Sequence, residues 1–121
     1  MGVDRTDYII YGFNIPPAVA KENGVDIWDD KYLPFMEGRP GIFEAIVYDG
    51  MSGEYLVFGK VIHKSEDYEG IPLKTVSYKD FFDDSEKDAI TQKFIELFGQ
   101  NIYDNEIEDE EPQVIIFSHF H

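Results

Sequence analysis

The chain begins with a stretch of residues typical of a β-strand. From Ile9 to Ile15 every odd position is apolar, whereas the even positions mix apolar and polar side chains. Because successive side chains of a strand point to opposite faces of a sheet, residues 7–15 are predicted to pack one face on a core and to have the other partly covered. Two prolines end this strand. Residues 17–24 start with a proline and end with a glycine, which predicts a short helix.

Two further runs of strand-forming residues form the clearest pair in the chain. Residues 42–48 and 55–63 are rich in Ile, Val, Phe and Tyr, and the polar segment DGMSGE separates them. This spacing predicts a β-hairpin with a glycine-containing loop. Both runs are apolar on both faces over part of their length, which indicates central strands. Gly59, in the middle of the second run, predicts a bulge or a close approach of two backbones. Residues 74–78 predict a short edge strand.

The strongest helical pattern lies in residues 84–98. Ile90, Phe94, Leu97 and Phe98 recur at the spacing that places side chains on one face of a helix. Acidic residues crowd its N-terminal end, where the helix dipole favours negative charge, and Gly99 follows its last turn. An acidic connection, residues 104–111, then leads to a last strand predicted at residues 114–120.

Together these elements predict the α+β class. We expect residues 1–121 to form a single globular domain, with a mostly antiparallel sheet of about four or five strands and one long helix, about 85–98, packed on one face. Residues 25–41 show neither the helical nor the strand period. They form a predicted loop that is unusually rich in large apolar side chains.

Net charge is the most prominent feature of the composition. The chain carries 25 acidic and 10 basic residues, for a formal charge of −15, and 43% of its residues are hydrophobic, which is enough for a core. A surface this negative repels nucleic acid and anionic lipid and attracts basic surfaces. No apolar run is long enough to span a bilayer, and no secretory signal opens the sequence. We therefore expect a cytoplasmic protein whose partner is neither nucleic acid nor a membrane.

No motif in the sequence indicates catalysis. Absent cysteines exclude thiolate catalysis and Cys-based metal sites. Phosphate-binding loops, nucleophile elbows and His-Glu-x-x-His helices are also absent. No cofactor is expected, and a binding function is favoured over an enzyme. One metal-binding alternative remains open, because His119 and His121 share one face of the last strand; Ile115 and Phe117 share it too, which makes that face look like core.

Two surfaces are candidates for partner binding. The first is acidic and comprises Asp83, Asp84, Glu86, Glu106, Glu108, Asp109, Glu110 and Glu111. Its two clusters are predicted at opposite ends of a helix about 21 Å long, a spacing that could imitate rows of phosphates. The alternative is that the second cluster is only a solvated connection.

The second candidate surface is the apolar loop with Trp28, Asp29, Asp30 and Tyr32. We expect partial burial of Trp28, since a loop with so many large apolar residues is hard to leave in water.

Three segments, MGVDRTDYIIYGF, WDDKYLPFMEGRPG and YDGMSGEYLVFGKVI, give the first half of the chain a resemblance to small accessory proteins of tailed bacteriophages. That resemblance implies a protein made in the cytoplasm of an infected host cell, and it implies no catalytic residues. The leading hypothesis is thus a non-enzymatic acidic protein that binds and inhibits a basic host protein, one acting in defence or handling nucleic acid, by DNA mimicry or otherwise. The alternatives are a small metal-dependent enzyme or metal-binding protein, and a structural or assembly component that forms a homo-oligomer.

Overall fold

Strands and helices of the chain belong to one α+β arrangement, as the sequence predicts. The structure, a computed structural model, describes residues 5–36, 44–66, 84–107 and 111–120. Its elements in chain order are β1 (Arg5–Ile15), α1 (Pro17–Glu22), β2 (Glu44–Tyr48), β3 (Leu56–Glu66), α2 (Asp84–Phe98), α3 (Gln100–Glu106) and β4 (Gln113–Phe120). One turn of 3-10 helix spans Leu33–Phe35. The strand predicted at residues 74–78 lies outside the described residues.

The described strands form an antiparallel sheet in the order β2-β3-β1-β4. β1 lies between β3 and β4, and the predicted hairpin is present as β2 and β3. An extra residue, Ile62, interrupts the β1–β3 register, because Ile9 pairs with His63 while Ile10 pairs with Val61. The hairpin prediction is therefore correct, but only β3 is central, since β2 is the outer strand of the described sheet.

Gly12 and Gly59 lie directly opposite each other in the two central strands. A Cβ atom at Gly12 would lie 2.6 Å from the Gly59 Cα atom, and one at Gly59 would lie 2.7 Å from the Gly12 Cα atom. Backbone atoms occupy the space where any larger side chain would begin. Gly59 thus marks a close approach of two strands, one of the two alternatives that its position in the sequence predicts, and the bulge lies elsewhere.

Helix α2 packs on one face of the sheet, which we call the helix face. Its apolar stripe, Ile90, Phe94, Leu97 and Phe98, is buried against Phe13, Phe58 and their neighbours. The Phe13 and Phe94 rings lie 4.7 Å apart between centroids, at an angle of 46°. Each such side chain stabilises the fold by about 1.5–3 kcal/mol on burial. This stripe fixes α2 against the C-terminal half of β1 and the N-terminal half of β3.

A second apolar cluster lies on the opposite face of the sheet. Tyr8, Ile10, Val47 and Val57 are buried there, with Ile115 and Phe117 of β4 packed beside them. His119 is only 1% exposed, and a hydrogen bond of 2.7 Å joins its Nδ1 atom to the Tyr55 hydroxyl. The sequence correctly places Ile115, Phe117 and His119 on one core-like face.

Residues 100–106 form helix α3, where the sequence predicts the start of a solvated connection. Gly99 has a φ of 98° and lets the chain turn sharply between α2 and α3. Ile102 and Tyr103 of α3 are buried against the same cluster as α2, and the Tyr103 ring lies edge-on to Phe13. The predicted connection is therefore wrong where it overlaps α3, at residues 104–106. The burial of Ile102 and Tyr103 holds this short helix on the core.

The loop between β2 and β3 is organised by one carboxylate. Asp49 accepts hydrogen bonds from the backbone N–H groups of Met51, Ser52 and Glu54 at 3.0–3.2 Å. Burial acts to raise the pKa of Asp49, but the N–H groups of Ser52, Glu54 and Met51, together with nearby His119, hold that pKa below its usual value. The charged carboxylate therefore replaces the hydrogen bonds that a tighter hairpin turn would make.

Candidate functional site

The loop after α1 is shaped by aspartates that bind the backbone. The Trp28 N–H donates to the Asp26 carboxylate at 3.0 Å, and the Lys31 N–H donates to the Asp29 carboxylate at 3.4 Å. Backbone bonds from Asp29 to Asp26 and from Tyr32 to Asp29 close two successive turns. Short aspartate side chains stabilise such turns, and here they fix the direction in which Trp28 leaves the chain.

Tyr32 anchors this loop to helix α2 and does not form part of a contact surface. It is only 3% exposed, and its hydroxyl donates a 2.7 Å hydrogen bond to the Leu97 carbonyl oxygen. Its ring stacks on Phe98 with centroids 5.7 Å apart. The last carbonyls of a helix have no partner inside the helix, and Tyr32 supplies one. The placement of Tyr32 among contact residues is corrected, since its role is to position the loop.

Trp28 lies on the surface, with 74% of its area exposed. Its one aromatic contact among the described residues is with Tyr48, edge-on at 6.1 Å between ring centroids. The expected partial burial is wrong, because the Asp26 turn directs Ile27 toward the core and Trp28 away from it. Asp29 and Asp30 are exposed beside it.

An open apolar pocket of about 620 Å³ lies next to Trp28, which forms part of its wall. The remaining apolar lining comes from α1, the following loop and the β2–β3 hairpin: Pro17, Ala18, Ala20, Val25, Ile27, Tyr48 and Leu56. Lys21 and Asp26 contribute polar groups to the lining. We call this pocket, together with Trp28, Asp29 and Asp30, the Trp28 surface. It combines an exposed indole, an apolar cavity and the exposed carboxylates of the two residues that follow Trp28 in the chain.

The sequence identifies Trp28 and its two aspartates but not the pocket behind them. Tyr48 and Leu56 line it from β2 and β3, and the alanines line it from α1. None of these residues carries a chemical signature, since a buried alanine or leucine looks the same in a pocket wall as in a core. Only the long-range packing of the loop against the hairpin brings them together.

The acidic residues of the second candidate surface are partly neutralised by lysines. Glu86 forms an ion pair with Lys60 at 2.8 Å, and Glu111 forms one with Lys87. The hydrogen bond from Lys87 to Glu111 raises the pKa of that lysine, against a smaller opposing effect of desolvation. Asp84 and Glu106 are exposed. Asp83, Glu108, Asp109 and Glu110 lie outside the described residues.

Pairing of Glu111 with Lys87 changes the expected geometry of the acidic surface. Lys87 belongs to the first turns of α2, close to Asp84 and Glu86, and Glu106 and Glu111 line one small pocket. Glu111 therefore lies near the N-terminal end of α2. The expectation of clusters separated by the length of the helix is wrong for Glu111, since helix α3 folds the chain back toward the start of α2.

The candidate metal ligands are not placed for that role in the described part of the chain. His119 is buried with its Nδ1 atom bonded to Tyr55, and His121 lies outside the described residues. Among the residues that the structure describes, no three His, Asp or Glu side chains are grouped to hold a metal ion. Within the same residues, no helix has the length and hydropathy needed to cross a membrane.

The exposure of Trp28 leads to a direct spectroscopic prediction. The protein has one tryptophan, so its indole fluorescence reports on this position alone. We expect emission close to that of a fully hydrated indole, and Trp28→Ala should change the free energy of unfolding by no more than about 0.5 kcal/mol. Tyr32→Phe is the control within the same loop. It removes the bond to Leu97 and should cost about 1–2 kcal/mol. Blue-shifted emission, with a larger loss for Trp28→Ala than for Tyr32→Phe, would contradict the exposed placement.

Comparison with protein-family models, curated proteins and solved structures gave no match to this chain.

Proposed function

We propose that the protein is a non-enzymatic binding protein that docks a basic partner on its Trp28 surface. The observation that carries this proposal is an indole 74% exposed at an apolar pocket with Asp29 and Asp30 beside it. Exposed tryptophans that can fill or cover a pocket are typical anchors of binding interfaces. The free energy gained when such a ring leaves water is available to binding because it has not been used in folding.

The charges around Trp28 favour a partner with arginine or lysine side chains. A cationic side chain placed over an indole gains about 0.5–2 kcal/mol. The exposed carboxylates of Asp29 and Asp30, which follow Trp28 in the chain, would attract the same cation. The whole molecule, at −15, also steers basic surfaces toward itself. The proposed partner therefore presents an apolar side chain for the pocket, flanked by basic residues.

The acidic residues near α2 support steering more than anchoring. Two of their described members, Glu86 and Glu111, already form ion pairs with Lys60 and Lys87. A partner cation would have to compete with these lysines, which reduces the gain from each contact. DNA mimicry by this cluster stays a prediction from net charge. The resemblance to phage accessory proteins supports a host protein as the partner and inhibition as the outcome.

The proposal is tested with a defined probe. The probe is a short synthetic peptide in which arginines flank leucine and phenylalanine, and the control peptide carries glutamate in place of each arginine. We expect the arginine peptide to change the emission of Trp28 and the glutamate peptide to leave it unchanged. Binding should weaken as salt rises, because the Debye length falls to about 8 Å at physiological ionic strength.

Two charge-reversed proteins separate local contact from general attraction. Asp29→Lys with Asp30→Lys alters the Trp28 surface, whereas Asp84→Lys with Glu106→Lys changes the net charge equally at the α2 side. The first pair of substitutions should lower the affinity for the arginine peptide at least tenfold, or by about 1.4 kcal/mol. The second pair should lower it much less. Equal losses for both pairs would show that only net charge matters. A larger loss of peptide affinity for the Asp84→Lys, Glu106→Lys protein than for the Asp29→Lys, Asp30→Lys protein would place the contact near α2 instead.

A further inference from the structure

Strand β4 is an outer strand of the described sheet, and its sequence is largely apolar and uncharged. None of its eight residues is Asp, Glu, Lys or Arg, although 29% of the chain is charged. Val114, Ile116 and Phe120 point to the helix face, opposite Tyr11, Ile9 and Arg5 of β1. Their exposed fractions are 42%, 69% and 49%. A long outer strand that contains no charged residue is a template for pairing with another strand, because charged side chains on an edge strand are what usually deters such an approach.

The other outer strand of the described sheet, β2, is shorter than β4 and contains a charged residue. β2 begins with Glu44, and the loop after α1 lies against it, since Met36 forms a parallel β-bridge with Ile46. Its central residues, Ala45, Ile46 and Val47, are completely buried. Among the described strands, one sheet edge is therefore covered and short, and the other is long and apolar.

We propose that β4 pairs with β4 of a second copy of the chain, antiparallel and with the two-fold axis at Ile116. The copies would then form a continuous sheet across the dimer. Directly opposed residues of antiparallel strands share a face, so a centre at Ile116 places the exposed apolar side chains of both copies on the same face. Antiparallel pairing also sets the end of β4 next to Glu111 against the opposite end of the other copy's β4, where Arg5 lies beside Phe120. Glu111 is paired with Lys87 and Arg5 with Asp7 within each copy, so their opposite charges add little to the dimer. Parallel pairing would place like ends together.

The expected dimer is weak and responds to salt in a characteristic direction. Eight residues of strand span about 26 Å, and such a strip buries less than the roughly 800 Å² per partner of a standard interface. The two copies also repel each other, since each carries a charge of −15. Screening this repulsion strengthens the dimer, whereas it weakens attraction to a basic partner at the Trp28 surface. The two surfaces are therefore distinguishable, and failure of one proposal leaves the other standing.

Sedimentation equilibrium at increasing protein concentration tests the dimer. We expect monomer and dimer in equilibrium, with more dimer at about 0.5 M salt than at about 0.05 M. Ile116→Lys should weaken the dimer at least tenfold. Met51→Lys is the matched control, because Met51 is 61% exposed in the β2–β3 loop, and this change should leave the dimer unaffected. A monomer at every concentration, or equal effects of both lysines, would overturn the proposal.

Cysteine cross-linking tests the pairing geometry independently. The chain has no cysteine, so each introduced thiol can react only with its copy. Two Ile116→Cys chains would hold their Cα atoms within the 4.4–6.8 Å range of a disulfide, whereas two Gln113→Cys chains would be separated by about 20 Å. We expect rapid disulfide-linked dimer for Ile116→Cys and little for Gln113→Cys. Equal cross-linking of both variants would exclude antiparallel pairing at this centre.

Discussion

Replacement of Gly12 by alanine is expected to unfold the protein under conditions in which the native chain is folded. The added Cβ atom would meet the carbonyl oxygen of Phe58 and lie 2.6 Å from the Gly59 Cα atom. Both are backbone atoms of the neighbouring central strand, so the clash cannot be relieved by a rotamer change. β1 and β3 would have to separate along a register of ten paired residues. We expect a loss of at least about 4 kcal/mol, a large part of the stability of a typical domain.

The measurement is urea denaturation followed by far-ultraviolet circular dichroism. Gly50→Ala is the matched control, because a Cβ atom there would meet only the Tyr48 ring at 3.9 Å, an ordinary contact distance. Its denaturation midpoint should stay close to that of the native chain. A Gly12→Ala protein as stable as Gly50→Ala would show that the two central strands do not approach as closely as described.

Replacement of Phe94 by alanine is expected to cost about 3–5 kcal/mol. Phe94 is completely buried, and its ring lies 4.7 Å from that of Phe13, 5.0 Å from Phe98 and 6.3 Å from both Phe58 and Tyr103. These neighbours belong to β1, β3, α2 and α3, so the cavity would open where four elements meet. Rings that support one another on all sides cannot easily collapse into the space.

Phe120→Ala provides the same chemical change at a site that is 49% exposed. It should lower the free energy of unfolding by less than about 1 kcal/mol, since much of that ring is in water already. Denaturation of both variants under identical conditions gives the comparison. Similar losses at the two positions would mean that α2 does not bury Phe94 against the sheet.

Residue patterns with strong periodicity predicted the fold well. The alternation in residues 7–15 identified β1, and the stripe from Ile90 to Phe98 identified the buried face of α2. The hairpin followed from two apolar runs around a polar turn. In each case the signal is local, because the face that a residue occupies depends on its spacing from its neighbours.

Features that depend on distant partners could not be predicted in the same way. Helix α3 has only two buried residues and runs into a stretch dominated by acids, so local propensity favoured a solvated connection. The central position assigned to β2 is not found in the described sheet, for a related reason. β2 is buried on both faces, as a central strand would be, but part of that cover comes from a loop that no periodicity reveals.

At the candidate site, too, local features were predictable and features that depend on distant residues were not. Exposed Asp29 and Asp30 are where their charge predicts. Trp28, which was expected to be partly buried, is outside, whereas Tyr32, which was placed with it among the contact residues, is inside. Tyr32 is inside because its hydroxyl donates a hydrogen bond to the Leu97 carbonyl oxygen near the end of α2. That partner is 65 residues away in the sequence and leaves no local trace.

The bond between Tyr32 and Leu97 also has a consequence for the timing of synthesis. A ribosome completes the Trp28 loop long before it adds Leu97, and until then the phenol has no helix end to bind. The loop of a nascent chain therefore lacks its anchor, whatever its own turns achieve. A partner that recognises the anchored loop would encounter it only once the chain through α2 has been made and has folded, so unfinished chains would not compete for that partner.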